Sequence, residues 1–172
     1  MKTQLLSAVL VSVAILTGTF AYSSNAKPIK TSTKEIAITS PFQKITVGNN
    51  LQLVLIQDES KSAVLITGDD NLLKFVKVSV NKGVLSIASN RYLGNRNIKI
   101  YVPVSTLASL DLASGASVAT EGIVKLENLK VFVREDCKVN LHILGNFQLE
   151  SDDDCDIVYQ KYEKYNVVFV HE

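Results

Sequence analysis

The amino-acid sequence predicts an all-β protein, with stacked coils of a β-solenoid in its C-terminal half and hairpin-connected strands in its N-terminal half. A motif returns near the C-terminus as Leu107-x-x-Leu110-x-Leu112, Leu126-x-x-Leu129-x-Val131 and Leu144-x-x-Phe147-x-Leu149. The starts lie 19 (126 − 107) and then 18 (144 − 126) residues apart, too long for a hairpin meander and suited to one coil of a solenoid. Elsewhere apolar residues alternate with a period of two and are rich in β-branched types, as half-buried strands require. No amphipathic helix of ordinary length is present.

The elements follow in order. Met1-Lys2, the apolar run Leu5–Leu16 and the small residues up to Ala21 have the layout of a secretory signal peptide, residues 1–21, with cleavage after Ala21 or Ala26. The alternative is an uncleaved membrane anchor, but the run falls short of the roughly 18 to 20 apolar residues that span a bilayer. No Cys near the site points to a lipid anchor, and no later segment is long and apolar enough to span. Residues 22–35, rich in Ser, Thr and Lys, read as a flexible leader, and 36–172 as one domain. Strand patterns occur at Ile45/Val47, Leu51/Leu53/Leu55, Val64/Ile66, Val76/Val78/Val80, Val84/Ile87 and Ile98/Ile100/Val102. Gly48-Asn49-Asn50, Gln57-Asp58-Glu59-Ser60, Gly68-Asp69-Asp70-Asn71, Asn81-Lys82-Gly83 and Gly94-Asn95 separate them with residues that tolerate left-handed backbone or bond their own main chain. Asn81-Lys82-Gly83 reads as a hairpin turn, and Asn71–Val76 is the one stretch suited to a short helical turn. In the repeats, Leu110, Leu129 and Phe147 are expected to stack, as are Leu112, Val131 and Leu149.

Charge narrows the partners. The chain has 18 Lys and Arg against 17 Asp and Glu. Removing residues 1–21 takes only Lys2, leaving 17 of each (18 − 1 against 17). Nucleic acid is excluded as a partner, because its binding rests on a basic surface that neutralises phosphates.

The runs Phe42-x-x-Ile45-x-Val47-Gly48, Leu51-x-Leu53-x-Leu55, Val64-x-Ile66-x-Gly68-Asp69-Asp70-Asn71-Leu72-Leu73, Gly83-x-Leu85-x-Ile87 and Leu110-x-Leu112-x-Ser114-Gly115-Ala116-Ser117 resemble the DUF2807 family, the putative auto-transporter adhesin head GIN domain. The resemblance covers residues 36–172. It implies a single-stranded right-handed parallel β-helix, found in exported proteins of Gram-negative bacteria, and carries over no catalytic residues. The sequence departs from the pattern where Arg134-Glu135-Asp136 and Asp152-Asp153-Asp154 stand in place of further Ser-Gly-Ala-like blocks.

Four groups of residues bear on chemistry. Cys137 and Cys155 each lie eight residues past the matching repeat positions Leu129 (137 − 129) and Phe147 (155 − 147). They are either a disulfide, in an oxidising compartment, or a reduced pair stacked in the interior; a metal site is the minor third reading. Asp152, Asp153, Asp154 and Asp156 gather carboxylates, but the Asp-x-Asp-x-Asp-Gly spacing of a calcium loop is missing and a solvated turn is the simpler reading. Tyr159, Tyr162 and Tyr165, interleaved with Lys161 and Lys164, read as a contact patch or as the polar lid of the last coil. A carbohydrate-active enzyme on this fold needs carboxylates along a groove, and only Asp152, Asp154 and Arg134 imitate that arrangement. His142 and His171 belong to no nucleophile pattern, and Ser114-Gly115-Ala116-Ser117 lacks the flanks of a nucleophile elbow. No catalytic residue, metal or cofactor is expected. The expectation is an exported cell-envelope or cell-surface protein, in the periplasm, at the outer membrane surface or released. It is read as a non-catalytic, adhesion-like module for an envelope polymer, glycan or protein. The alternatives are a structural envelope protein that self-assembles as a homo-oligomer, and a β-helix carbohydrate-active enzyme.

Overall fold

The computed structural model describes residues 30–93, 97–151, 156–161 and 167–171. Their elements are β1 (Thr31–Ala37), β2 (Lys44–Val47), β3 (Gln52–Ile56), β4 (Ala63–Asp69), α1 (Asp70–Leu73), β5 (Val76–Asn81), β6 (Val84–Ser89), β7 (Lys99–Pro103), β8 (Ser109–Leu112), β9 (Ser117–Glu121), β10 (Val124–Val133), β11 (Lys138–Ser151), β12 (Asp156–Lys161) and β13 (Val167–His171). The fold is all-β. The strands form one mixed sheet in the order β1-β4-β7-β3-β9-β11-β10-β8-β2-β6-β5, with β12 and β13 also paired to β11.

The sheet has two limbs joined at β11, whose first half belongs to one limb and whose second half belongs to the other. In the first limb parallel pairing lines up Leu85, Ile45, Leu110, Val131 and Leu149. In the second it lines up Ile100, Leu53, Val118, Val139 and Ile157. Neighbouring strands lie about 4.8 Å apart, so each row is a continuous apolar ladder. Both ladders point into one core, where Ile45, Leu55, Leu85, Ile100 and Leu110 are fully buried. Each such side chain contributes roughly 1.5 to 3 kcal/mol by leaving water.

The chain passes from one limb to the other at four-residue corners that stack. Val47 pairs with Leu112 and Gln52 with Ser117, so 48–51 sits on 113–116; Leu112 pairs with Val133 and Ser117 with Lys138, so 113–116 sits on 134–137. The third residue of each corner is left-handed: Asn50 at φ 57°, Gly115 at 72° and Asp136 at 58°. Gly, Asn and Asp are the residue types that tolerate this backbone. Asp136 thus does the work of Gly115, which explains the departure at Arg134-Glu135-Asp136. Main-chain bonds tie the corners together, Asn50 N–H to Ser114 O at 3.3 Å and Gly115 N–H to Glu135 O at 3.0 Å. Asp136→Ala is expected to lower stability by about 1 kcal/mol and Asp136→Gly to leave it unchanged or raise it, measured by urea denaturation.

Three expectations need correction. The repeat motif places Leu129 over Phe147 and Val131 over Leu149, as observed, but Leu110 pairs with Val131 and Leu112 with Val133. A two-residue slip leaves every side chain on its own face, so the apolar pattern is blind to it. Thr31–Glu35, read as leader, belong to β1, which pairs antiparallel with β4 from Thr31↔Asp69 to Ala37↔Ala63. Its alternation of exposed and half-buried residues, with none fully buried, hid it from an apolar count. Among the N-terminal strands, only β5 and β6 make a hairpin between sequence neighbours; β2, β3, β6 and β7 enter parallel ladders. Clusters such as Gly48-Asn49-Asn50 mark a change of direction without saying whether the chain reverses or rounds a corner. The Asn81–Val84 hairpin is as expected, with Lys82 at φ 48° and Gly83 at 76°, the two left-handed positions of a type I′ turn. The helical turn is α1, with Asp69 as its N-cap, accepting from Asn71 N–H at 2.9 Å.

Antiparallel pairing is confined to one end of the stack, where β5 lies on β6, β4 on β7 and β1 on β4. There α1 and the segment after it bring the buried Leu73 and Val76 over the end of the core.

Candidate functional site

Residues that alternate with the core ladders face outward, and the two limbs differ in what they present. On the first limb the charges satisfy one another: Lys44 Nζ lies 2.6 Å from Asp111 and Lys130 Nζ 3.6 Å from Glu150. The Thr46 hydroxyl donates to Ser86 Oγ at 3.1 Å. On the second limb, pairing lines up Lys99, Gln52, Ser117 and Lys138 in one outward row, which continues in register to Asp156, and Tyr101, Val54, Ala119, Asn140 and Val158 in the next. Lys99 and Lys138 are exposed. A shallow depression of about 520 Å³ runs across these strands. Val158, 62% exposed, closes the apolar row.

This face carries ammonium, amide and hydroxyl groups beside a strip of small apolar side chains and one aromatic ring. Such a set has the chemistry to meet an extended polar chain along the strands' stacking direction, with amides for hydroxyls, Tyr101 and Val54 for rings or methylenes, and ammonium groups for acids.

A second concavity, about 300 Å³, lies between Pro41, Phe42, Asp58, Lys61, Pro103 and Thr106. Of its two acids, Asp58 and Glu59, the first is engaged in a turn. Asp58 Oδ1 accepts from Ser60 Oγ at 2.7 Å and Ser60 N–H at 3.0 Å, and Lys61 Nζ lies 3.2 Å from Oδ2. The Ser60 hydroxyl first, and Lys61 next, hold the Asp58 carboxyl at about 2, below its ordinary 3.8. A depressed folded-state pKa means that the turn's contribution is present above the ordinary carboxylate range and is lost as pH falls through about 2. An NMR titration is expected to give Asp58 a midpoint near that value, and Ser60→Ala is expected to move it toward 3.8.

The sequence profile of DUF2807, described as "Putative auto-transporter adhesin, head GIN domain", matches residues 41–158. The chain belongs to this family. The DUF2807 match runs from just before β2 into β12 and so takes in both limbs, the stacked corners and the outward face of the second limb. Similar folds occur in a putative adhesin from Parabacteroides distasonis (TM-score 0.63, 19% identity, covering 76% of this chain and 56% of that one). A putative adhesin from Bacteroides fragilis is also similar (0.61, 19%, 74% and 61%). So is a putative lipid binding protein from Parabacteroides distasonis (0.56, 18%, 83% and 68%). At these identities the likeness is one of fold. The DUF2807 chain spans 56% and 61% of the two adhesin structures. No curated protein matches it.

Of the residues singled out in the sequence, Cys137 is buried at the corner beneath Ala116, and its thiol donates to Ala113 O at 3.3 Å. Cys155, Asp152, Asp153, Asp154, Tyr162 and Tyr165 lie outside the described residues. Asp156 opens β12 and pairs in register with Lys138, while Tyr159 pairs with the buried Leu141. His142 N–H donates to Thr120 Oγ1 at 2.9 Å, and His171 pairs with Ser151 at the end of β13. Among the described residues no three His, Cys, Asp or Glu side chains gather as a metal site, and no helix is long and apolar enough to cross a membrane. The outward row of Gln52, Lys99 and Lys138 escaped sequence reasoning because its members are 47 and 86 residues apart along the chain (99 − 52 and 138 − 52) and meet only through strand register.

Proposed function

We propose that this DUF2807 protein is an exported, non-catalytic binding module that works at the cell envelope or cell surface, and that its mixed sheet is a short single-stranded right-handed β-helix. The parallel ladders and the three aligned left-handed corners support the helix. The signal-like N-terminus and the family's description as an adhesin support export and binding. The observation that carries the function is the second limb's outward face, where Lys99 and Lys138 flank polar and small apolar groups over four adjacent strands. Its ligand is an envelope polymer or glycan chain. The test is an array of glycans and envelope polymers, with sugar products assayed in the same wells. Saturable binding that Lys99→Ala/Lys138→Ala weakens, without product, is the expected result; sugar release overturns the non-catalytic reading.

A second reading, a structural protein that assembles through its own ends, is favoured by β5. This edge strand carries Val78 and Val80 on one face and offers a row of open main-chain groups. Mass that rises with protein concentration, with no binding on the array, would select it.

A further inference from the structure

The antiparallel end of the stack holds a cluster that the binding reading does not use. Lys74 ends α1 and is followed by Phe75, whose carbonyl accepts from Asn90 N–H at 3.3 Å. Ser89 Oγ donates to Arg91 O at 2.7 Å and accepts from Arg91 N–H at 3.2 Å, which holds the turn after β6 against that carbonyl. As a result Lys74 Nζ lies 5.2 Å and the Arg91 guanidinium 5.3 Å from the centre of the same Phe75 ring. Two like charges share one ring, and neither makes an ion pair among the described residues. The two acids at the start of α1 accept hydrogen bonds, Asp69 Oδ1 from Asn71 N–H and Asp70 Oδ1 from the Ser32 hydroxyl at 2.7 Å, while Glu35 of β1 is exposed. Beside Arg91 stands Tyr92, 78% exposed. Asp70 N–H donates to Lys30 O at 3.1 Å, so Lys30 lies at this same end.

We infer that this end of the stack docks on an anionic lipid surface, with Lys74 and Arg91 against lipid phosphates and Tyr92 among the headgroups. Charge complementarity favours an anion between the two cations, and cation–π contact with Phe75 keeps both in place. An exposed Tyr next to basic residues is the composition of a membrane–water interface. The inference goes beyond the binding reading and stands without it.

The test is co-sedimentation of residues 27–172, the chain expected after cleavage at Ala26. Vesicles of phosphatidylethanolamine with phosphatidylglycerol are compared with pure phosphatidylcholine vesicles. The expected result is binding to the anionic vesicles alone, weakened roughly thirtyfold by Lys74→Ala/Arg91→Ala at unchanged thermal stability, and weakened also by Tyr92→Ala. Lys125→Ala/Lys130→Ala removes the same charge from β10, four places from β5 in the sheet, and is expected to bind as the parent does. Equal loss in both double variants, or no binding to anionic vesicles, overturns the inference. Binding to soluble dextran sulfate that is lost in Lys74→Ala/Arg91→Ala, with vesicles ignored, replaces it with a polyanionic glycan site. The array above can fail while the vesicles bind, so the two readings fall separately.

Discussion

Gly145→Ala is expected to lower the unfolding free energy by about 3 kcal/mol, one of the two largest effects of any single substitution proposed for this chain. β10 and β11 pair in register from Val124↔Ile143 to Lys125↔Leu144 and resume at Asn128↔Asn146, so Leu126 and Glu127 together face the single residue Gly145. This is a β-bulge, and the residue opposite it must let the bulged main chain approach. A Cβ on Gly145 would collide with the carbonyl of Leu126, a main-chain atom that cannot swing aside as a side chain does. The strands would have to part where β11 passes from one limb to the other, and both limbs would feel it. Gly83→Ala is the control. Its backbone is left-handed, at φ 76°, but an added Cβ meets nothing within 4 Å, so only the conformational cost of about 1 kcal/mol remains. Urea denaturation with unchanged slope is the measurement, and equal midpoints for the two variants would refute the steric account.

How much of this fold the sequence reveals depends on the period of each signal. Alternation at Leu51/Leu53/Leu55 and at Ile98/Ile100/Val102 reports a strand and its inward face, because side chains on a strand alternate strictly. The Leu129/Phe147 and Val131/Leu149 pairs were legible because an 18-residue spacing (147 − 129) holds between β10 and β11 there. Between β8 and β10 the offset is 21 residues (131 − 110), two more than the motif spacing of 19 (129 − 110). The bulge at Leu126-Glu127 changes the β10–β11 offset by one residue, from 19 (143 − 124) to 18 (146 − 128), and such irregularities have no reliable apolar signature. The corners were legible as turns and misread as reversals for the same kind of reason: Asn50 reports a left-handed backbone, not the path taken after it.

The candidate site was less legible than the core. Lys99, Gln52, Ser117 and Lys138 are ordinary outward residues of four strands, and only pairing across the stack makes them a row. Compositional clusters drew attention instead, and of these Asp136 illustrates the alternative: an acidic residue chosen for the backbone it tolerates at φ 58°. The pair Lys74 and Arg91 illustrates the reverse. Nothing in their 17-residue separation (91 − 74) joins them, and they meet on Phe75 because β5 and β6 fold back as a hairpin.

Leu110→Ala is expected to cost about 2 to 5 kcal/mol, and it also tests the register. Leu110 is fully buried at the middle of the row Leu85, Ile45, Leu110, Val131, Leu149, with an apolar partner on the strand to either side. Truncation opens a void that both neighbours line, and main-chain pairing on each side resists the collapse that would fill it. The diagnostic experiment is a pair of double-mutant cycles. Leu110 lies directly beside Val131, so Leu110→Ala and Val131→Ala are expected to couple by at least about 0.5 kcal/mol. Leu129 lies two residues off that register, roughly 7 to 8 Å away on the diagonal, so Leu110→Ala and Leu129→Ala are expected to add within about 0.5 kcal/mol. The motif alignment predicts the opposite ranking, because it sets Leu110 on Leu129. Stronger coupling to Leu129 than to Val131 would mean that the first and second coils stack 19 residues apart (129 − 110), as the motif spacing alone suggests. The corner alignment of Gly115 on Asp136 would fall with it, since both rest on the same 21-residue offset (131 − 110 and 136 − 115).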